Sequence, residues 1–176
     1  MTPLPILDEW FGPLDANGLP SPAKGARWWT KSQEFDDYLR VHYGPFVKQA
    51  QAGGLREWDK SPEGTLARII LLDQFARNIF RNTMSMYAGD DYAVEATLAL
   101  LDDGLLRLPA VCQYFALMPL MHAEDVALQE RSVAEFEALV KRTPEPTRKA
   151  VEPALQFAKD HRDVVLRFSR FPHRNS

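Results

Sequence analysis

One helix near the middle of the chain limits the possible folds more than any other segment. Ser61-Pro62-Glu63 is a helix start, with a capping hydroxyl, a proline at the first helical position and an acid in the first turn. From Leu66 to Leu72 apolar side chains surround this helix on nearly all sides. A helix that is apolar all round must be buried. We therefore expect this helix, which is predicted to run to about Phe80, to lie inside the fold.

Start and stop signals divide the rest of the chain into further helices. They predict helices at residues 3–11, 32–51 (interrupted at Gly44-Pro45), 61–80, 90–103, 109–117, 121–142 and 147–168. Residues 15–25 are rich in Gly, Pro, Ser and Asn and are predicted to form a loop. Pro119 is expected to kink or end its helix, and Pro153 to kink the last one. Since no segment alternates like a strand, we expect one all-α domain over residues 1–176, with about seven helices and no sheet.

Composition excludes several classes of protein. Cys112 is the only cysteine, so neither an intramolecular disulfide nor a cysteine-based zinc site can form. A reducing, cytoplasmic location is expected. The net charge of −3 with mixed signs argues against a nucleic-acid partner. Met1 to Trp10 does not resemble a signal peptide, and no apolar run is long enough to cross a membrane.

A polar stripe continues the buried helix. At 3.6 residues per turn, Asp73, Arg77 and Arg81 stack along one side, with Gln74 and Asn78 beside them. These residue types form directional hydrogen bonds, whereas a solvated face favours Lys and Glu. The stripe therefore predicts a structural ion-pair network or a ligand site in preference to plain surface.

A second polar group follows the apolar segment that ends at Met121. His122 would act as a general base if a carboxylate such as Glu124 oriented its ring. Its spacing to neighbouring acids matches neither the His-Glu-x-x-His pattern nor the zinc deaminases, so no metal or cofactor is expected. The alternatives are that Glu124 and Asp125 complement a helix dipole and that His122 is a hydrogen-bonded structural residue.

A basic and aromatic tail forms the third polar group. Basic residues late in a helix suit the negative end of its dipole, but the run continues past the predicted helix end. Phe168 and Phe171 would pin this tail to the body, so that its cations face Asp73, Glu124 or an anionic ligand. The tail residues assigned to the candidate site are His161, Arg170, His173 and Arg174.

Together, these segments resemble the bacterial domain of unknown function 924 family. The resemblance rests on Leu72–Arg81, Pro119–Asp125 with Gln129, Arg167–Asn175, Trp10-Phe11-Gly12, Trp28-Trp29, Glu34-Phe35-Asp36 and Asp90. It implies an all-α fold of the tetratricopeptide-like superfamily, with antiparallel helix pairs stacked in an array, and no known activity.

Three features depart from the family pattern. The family usually has Pro where Ala76 stands and Gly where Ser169 stands. Its pattern also continues beyond His173-Arg174-Asn175, whereas this chain stops at Ser176. A site that used that continuation is therefore expected to be incomplete here.

The first functional hypothesis is a small-molecule site. Arg77, Arg81 and Arg174 would clamp an anion such as phosphate or carboxylate, and His122, oriented by Glu124, would act as acid or base. This hypothesis leaves open whether the site is catalytic.

Two other hypotheses need no small molecule. Stacked helix pairs form grooves that bind peptides, and the aromatic residues expected to line such a groove are Trp28, Trp29, Tyr87 and Tyr92. Alternatively, the polar set is an ion-pair network that locks the helices together. Removing one partner of a buried pair would then be strongly destabilising.

Overall fold

Helices make up the regular structure of the computed structural model, which describes residues 2–174. No strand occurs in this range, which confirms the all-α prediction. The helices are α1 (Leu4–Trp10), α2 (Pro22–Arg27), α3 (Gln33–Gln51), α4 (Pro62–Ile69), α5 (Ala76–Ile79), α6 (Asp90–Asp102), α7 (Ala110–His122), α8 (Val126–Arg142), α9 (Arg148–Val151) and α10 (Pro153–Phe168). Short 3-10 turns occur at Arg56–Lys60, Met84–Tyr87, Leu105–Arg107 and Pro172–Arg174.

The central apolar helix forms as predicted, with one addition. Ser61 caps α4, because its Oγ accepts a hydrogen bond from Gly64 N at 3.1 Å. The side chains predicted to be buried here are at most 1% exposed. Between α4 and α5 the helix widens into a π-helical turn, Ile70–Phe75, that the sequence analysis did not predict. Such turns are rare and often occur at functional sites.

Other helix boundaries differ from the prediction where tertiary packing or capping decides the local structure. Helix α2 lies in the expected loop, because Ser21 and Pro22 form a helix start. Helix α3 continues through Pro45, and burial of Leu39 and Val47 on either side holds it together. Proline at position 119 likewise does not end α7, which reaches residue 122.

The helices share one hydrophobic cluster. Its side chains come from every helix except α2, and α4 with its π-helical turn contacts α1, α6 and α7. Helix α7 packs on α8, and α8 packs on α10. Only residues 123–125 connect α7 to α8, and a connection this short typically joins neighbouring antiparallel helices. The tetratricopeptide-like assignment stays a prediction.

Three segments of the chain meet beside the π-helical turn and position the residues of the candidate site. They are the first turn of α6, the last turn of α7, and the segment after α10. Ser169 ends α10 with φ 57°, a left-handed conformation that turns the chain back onto the body. Phe171 is buried there. Among residues 2–174, no helix is both long and apolar enough to cross a bilayer.

Candidate functional site

The π-helical turn carries Asp73, a carboxylate that is almost completely buried. Its Oδ1 accepts a hydrogen bond from His122 Nδ1 at 2.7 Å and forms an ion pair with Arg77 Nη1 at 2.9 Å. Arg77 Nη1 also donates to the backbone oxygen of Asp73 at 2.9 Å. Gln74 Nε2 donates to Oδ2 at 2.5 Å. Burial raises the pKa of Asp73, but the Arg77 guanidinium and the His122 ring outweigh burial and hold that pKa well below its usual range. Asp73 is therefore a fixed negative charge.

Asp90, in the first turn of α6, is the second carboxylate of the site and is partly buried. Its Oδ2 accepts from Arg77 Nη2 at 3.1 Å and from Arg174 Nη1 at 3.1 Å. Burial raises the pKa of Asp90, although Arg77 opposes this shift. Burial lowers the pKa of Arg174. Asp90 was expected to cap a helix and belongs to the family pattern, yet it does not cap α6 and instead joins two arginines.

These contacts close into a ring of five residues, Asp73, Arg77, Asp90, Arg174 and His122, which we call the charge ring. Arg174 completes it by donating from Nη2 to the backbone oxygen of His122 at 2.9 Å. Two carboxylates and two guanidinium groups balance, so the ring stays neutral when the imidazole is neutral. Pairing of this kind is what makes buried charges tolerable.

A cleft of about 400 Å³ opens beside the charge ring. It is lined by Tyr87, Asp90, Asp91, Val94, His122, Ala123, Glu124, Asp125, Leu128 and Arg174. Because Nδ1 of His122 is bonded to Asp73, Nε2 is the ring nitrogen left for the cleft. Within residues 2–174, no protein group forms a hydrogen bond with that Nε2. The histidine therefore presents one free ring nitrogen beside a cleft of small-molecule size.

The carboxylate that bonds to the His122 ring belongs to Asp73 and not, as predicted, to Glu124. Glu124 lines the cleft, but its Oε1 accepts a hydrogen bond from Phe171 N at 2.7 Å and so anchors the tail. Asp73 takes the orienting role, because its geometry fixes the imidazole from the protein interior. Asp125 caps α8 by accepting from Leu128 N at 2.9 Å.

Of the remaining tail residues, His161 lies near His122, whereas Arg170 and His173 are exposed. His161 lies with its ring centroid 6.0 Å from that of His122, and its Nδ1 donates to Phe157 O at 2.7 Å. Burial lowers the pKa of His161. Arg170 and His173 are exposed and do not line the cleft.

The far end of the predicted stripe belongs to a separate cluster. Arg81 donates to Asp36 through Nε at 2.7 Å and Nη2 at 3.0 Å, and Asn78 Nδ2 donates to Asp36 Oδ1 at 2.8 Å. Asp36 is only 2% exposed, and it ties α3 to the chain after α5. Asp36 was expected only as part of the family pattern and not as a site residue, because it lies in the first turn of α3, where acids are common.

The aromatic residues proposed for a peptide groove do not share one surface. Tyr87 lines the cleft, whereas Trp28 and Trp29 line a separate apolar depression of about 340 Å³. Tyr92 lies under the guanidinium of Arg56, at 5.6 Å from its ring centroid. In the described part of the chain, His, Cys, Asp and Glu side chains form no group of three placed to hold a metal ion.

The fold and site define a class: an all-α protein in which a buried charge ring holds a histidine beside a cleft. The chain belongs to the family described as bacterial protein of unknown function (DUF924), whose model matches residues 6–176.

A solved structure agrees with this assignment. The chain is similar to a protein of unknown function from Agrobacterium tumefaciens, with 31% identity and a TM-score of 0.80 over 98% of this chain and 87% of that one. A search of curated proteins found no match.

Proposed function

We propose that the cleft binds a small molecule and that His122 exchanges a proton with it. The observation that carries this proposal is the fixed imidazole: Nδ1 donates to a buried carboxylate at 2.7 Å, and Nε2 is free beside the cleft. A buried carboxylate behind a histidine fixes the tautomer and stabilises the imidazolium that forms when Nε2 accepts a proton.

The charges around the cleft support a ligand that carries a positive charge. Four carboxylates line it, from Asp90, Asp91, Glu124 and Asp125, against one guanidinium, which Asp90 already neutralises. Of these acids, Asp91 is exposed and has no ion-pair partner within residues 2–174. A site that concentrates negative charge attracts cations. We therefore propose a small amine or other compact organic cation as the ligand class.

The predicted anion clamp receives less support. Arg77 pairs with two carboxylates, and Arg174 with one. Arg81 is bonded to Asp36 in the other cluster. A phosphate or carboxylate would have to displace a buried protein carboxylate from each guanidinium, which leaves that carboxylate unpaired at high cost.

A thermal-shift screen tests the ligand class with matched probes. Ethanolamine, putrescine and choline represent cations, and acetate, succinate and inorganic phosphate represent anions. A ligand at about 100 times its Kd adds about 2.7 kcal/mol of stability, and for a chain of this length that raises Tm by roughly 5–11 °C. We expect an amine to produce the shift, and a larger shift with phosphate or succinate would overturn the proposed class.

Two pairs of variants test the ligand class and the role of His122 separately. Asp91→Asn should weaken amine binding and lower Tm only slightly, through loss of an acid in the first turn of α6. Asp102→Asn, at the opposite end of the same helix, should leave binding unchanged. His122→Gln should abolish the ligand-dependent change in histidine protonation that NMR detects, and exposed His42→Gln serves as its control. Unchanged proton exchange in His122→Gln would remove His122 from the proposed function.

For the Asp36 cluster we propose a structural role. Asp36 accepts three hydrogen bonds from Asn78 and Arg81, and it lines none of the cavities described above. Residues Asn78 and Arg81, which the sequence analysis assigned to ligand binding, are therefore proposed to join helices instead.

A further inference from the structure

The segment Ser169–Arg174, here called the C-terminal strap, supplies one member of the charge ring. We propose that Arg174 is a positioning residue that fixes His122 for proton transfer, an inference that rests on the proposed function of the cleft. The inference rests on geometry: the Arg174 guanidinium bonds directly to the backbone of His122 and is linked to its ring through the other members of the charge ring.

The backbone connection is direct. His122 is the last residue of α7, so its carbonyl oxygen has no partner within that helix. Arg174 Nη2 donates to this oxygen at 2.9 Å. A guanidinium at a helix C-terminus also complements the negative end of the dipole. Arg174 therefore holds the end of α7 in the position that places His122 beside the cleft.

The connection to the imidazole runs through the other four contacts of the charge ring. Arg174 Nη1 and Arg77 Nη2 share Asp90 Oδ2, each at 3.1 Å. Arg77 in turn shares Asp73 Oδ1 with His122 Nδ1. Without Arg174, Asp90 would keep Arg77 as its remaining ion-pair partner in the described chain and would draw it away from Asp73. The carboxylate that orients His122 would then lose its fixed position.

The strap holds the guanidinium of Arg174 between two aromatic rings. Its Cζ lies 4.4 Å from the ring centroid of Tyr87 and 4.6 Å from that of Phe171. Phe171 is itself 2% exposed, and its N–H donates to Glu124. A planar guanidinium fits between two rings and donates in two directions, whereas a lysine ammonium is a single point of charge. Lysine should therefore replace Arg174 only in part.

The test is exchange of the His122 ring N–H with water, followed by NMR in the ligand-free full chain. The ring N–H resonance is assigned by its loss in His122→Gln. In the wild type, a ring N–H bonded to a buried carboxylate should exchange slowly. Arg174→Met should speed exchange roughly 10–100-fold, because a hydrogen bond to a charged group changes a local opening equilibrium by about that factor. Arg174→Lys should give an intermediate rate.

Arg170→Met is the matched control, since Arg170 lies in the same strap, is exposed and has no ion pair within residues 2–174. In this variant the His122 ring N–H should exchange with water at the wild-type rate. Wild-type exchange in Arg174→Met would overturn the inference, and if that variant does not fold, wild-type exchange in Arg174→Lys would overturn it.

A second measurement separates this inference from the proposed function. The amine that stabilises the wild type should bind Arg174→Met at least tenfold more weakly, with partial recovery in Arg174→Lys. If no amine, acid or phosphate binds the wild type, the proposed function fails. The exchange rates then still decide whether Arg174 positions His122, because they need no ligand.

Discussion

Replacing Arg77 with methionine tests whether the charge ring holds the fold together. The change keeps most of the side-chain volume but removes the guanidinium between two carboxylates, of which Asp73 is 1% exposed. Breaking a buried pair from one side costs about 3–5 kcal/mol. Asp73 keeps His122 and Asp90 keeps Arg174, so we expect the lower end, about 3 kcal/mol.

That loss of stability converts to a measurable change in Tm. For a chain of this length, 1 kcal/mol shifts Tm by about 2–4 °C, so Arg77→Met should melt roughly 6–12 °C below the wild type. The matched control is Arg56→Met, because Arg56 pairs with Glu95 on the surface, where both side chains are about half exposed. Pairs this exposed to solvent contribute little to stability, so Arg56→Met should melt close to the wild type. Equal Tm values for the two variants would refute a structural role for the ring.

The pH dependence of the Arg77→Met effect identifies its cause. The pKa of Asp73 lies below its unfolded value, so its contribution is present above that unfolded pKa and is lost as pH falls through the folded one. In Arg77→Met, Asp73 stays buried but has lost the guanidinium beside it. Asp73 therefore takes up a proton at a higher pH than it does in the wild type. The Tm difference should be largest near pH 7 and shrink below about pH 5. A difference independent of pH would point to lost packing instead.

Four further predictions concern single positions, all measured by chemical or thermal unfolding. Ser169→Gly should stabilise the protein by about 0.5–1 kcal/mol, because φ is 57° there and the left-handed region is costly for a residue with a Cβ. Gly64→Ala should cost roughly 3 kcal/mol or more, since the new Cβ would lie 1.9 Å from a backbone carbonyl oxygen, whereas Gly25→Ala has room for its Cβ and should be tolerated. Asp36→Asn should cost about 1–3 kcal/mol through weakened hydrogen bonds to a cation that can still reach water. Burial lowers the pKa of His161, so the stability contributed by its neutral ring is present above about pH 6.5 and is lost as pH falls. His161→Gln should therefore flatten this part of the dependence of stability on pH.

Most helices were predictable because their determinants are local. Ser32 and Ser61 cap their helices through hydrogen bonds that depend only on residues three positions apart. The two prolines at positions 45 and 119 were misleading, because buried neighbours on both sides hold those helices together. The π-helical turn has no recognisable sequence signal, since it depends on how the surrounding helices pack.

The site was predictable in its residue types and only partly in its partners. Asp73, Arg77, His122 and Arg174 converge as expected for costly buried charges that need partners. Asp36 and Asp90 belong to the family pattern but were not assigned to a site, because an acid in the first turn of a helix already has an ordinary explanation. Which carboxylate meets which arginine depends on tertiary distances, and for this reason the stripe from Asp73 to Arg81 divides between two clusters.

The contact between Asp90 and Arg174 also has a consequence for synthesis of the chain. These residues are 84 positions apart, and translation at about 5–20 residues per second needs roughly 4–17 s to cover that distance. Throughout this interval Asp90 lacks one of its two arginines, although Arg77 has already been synthesised. The charge ring is thus completed last, because a chain that ends before residue 174 lacks the guanidinium that joins Asp90 to His122.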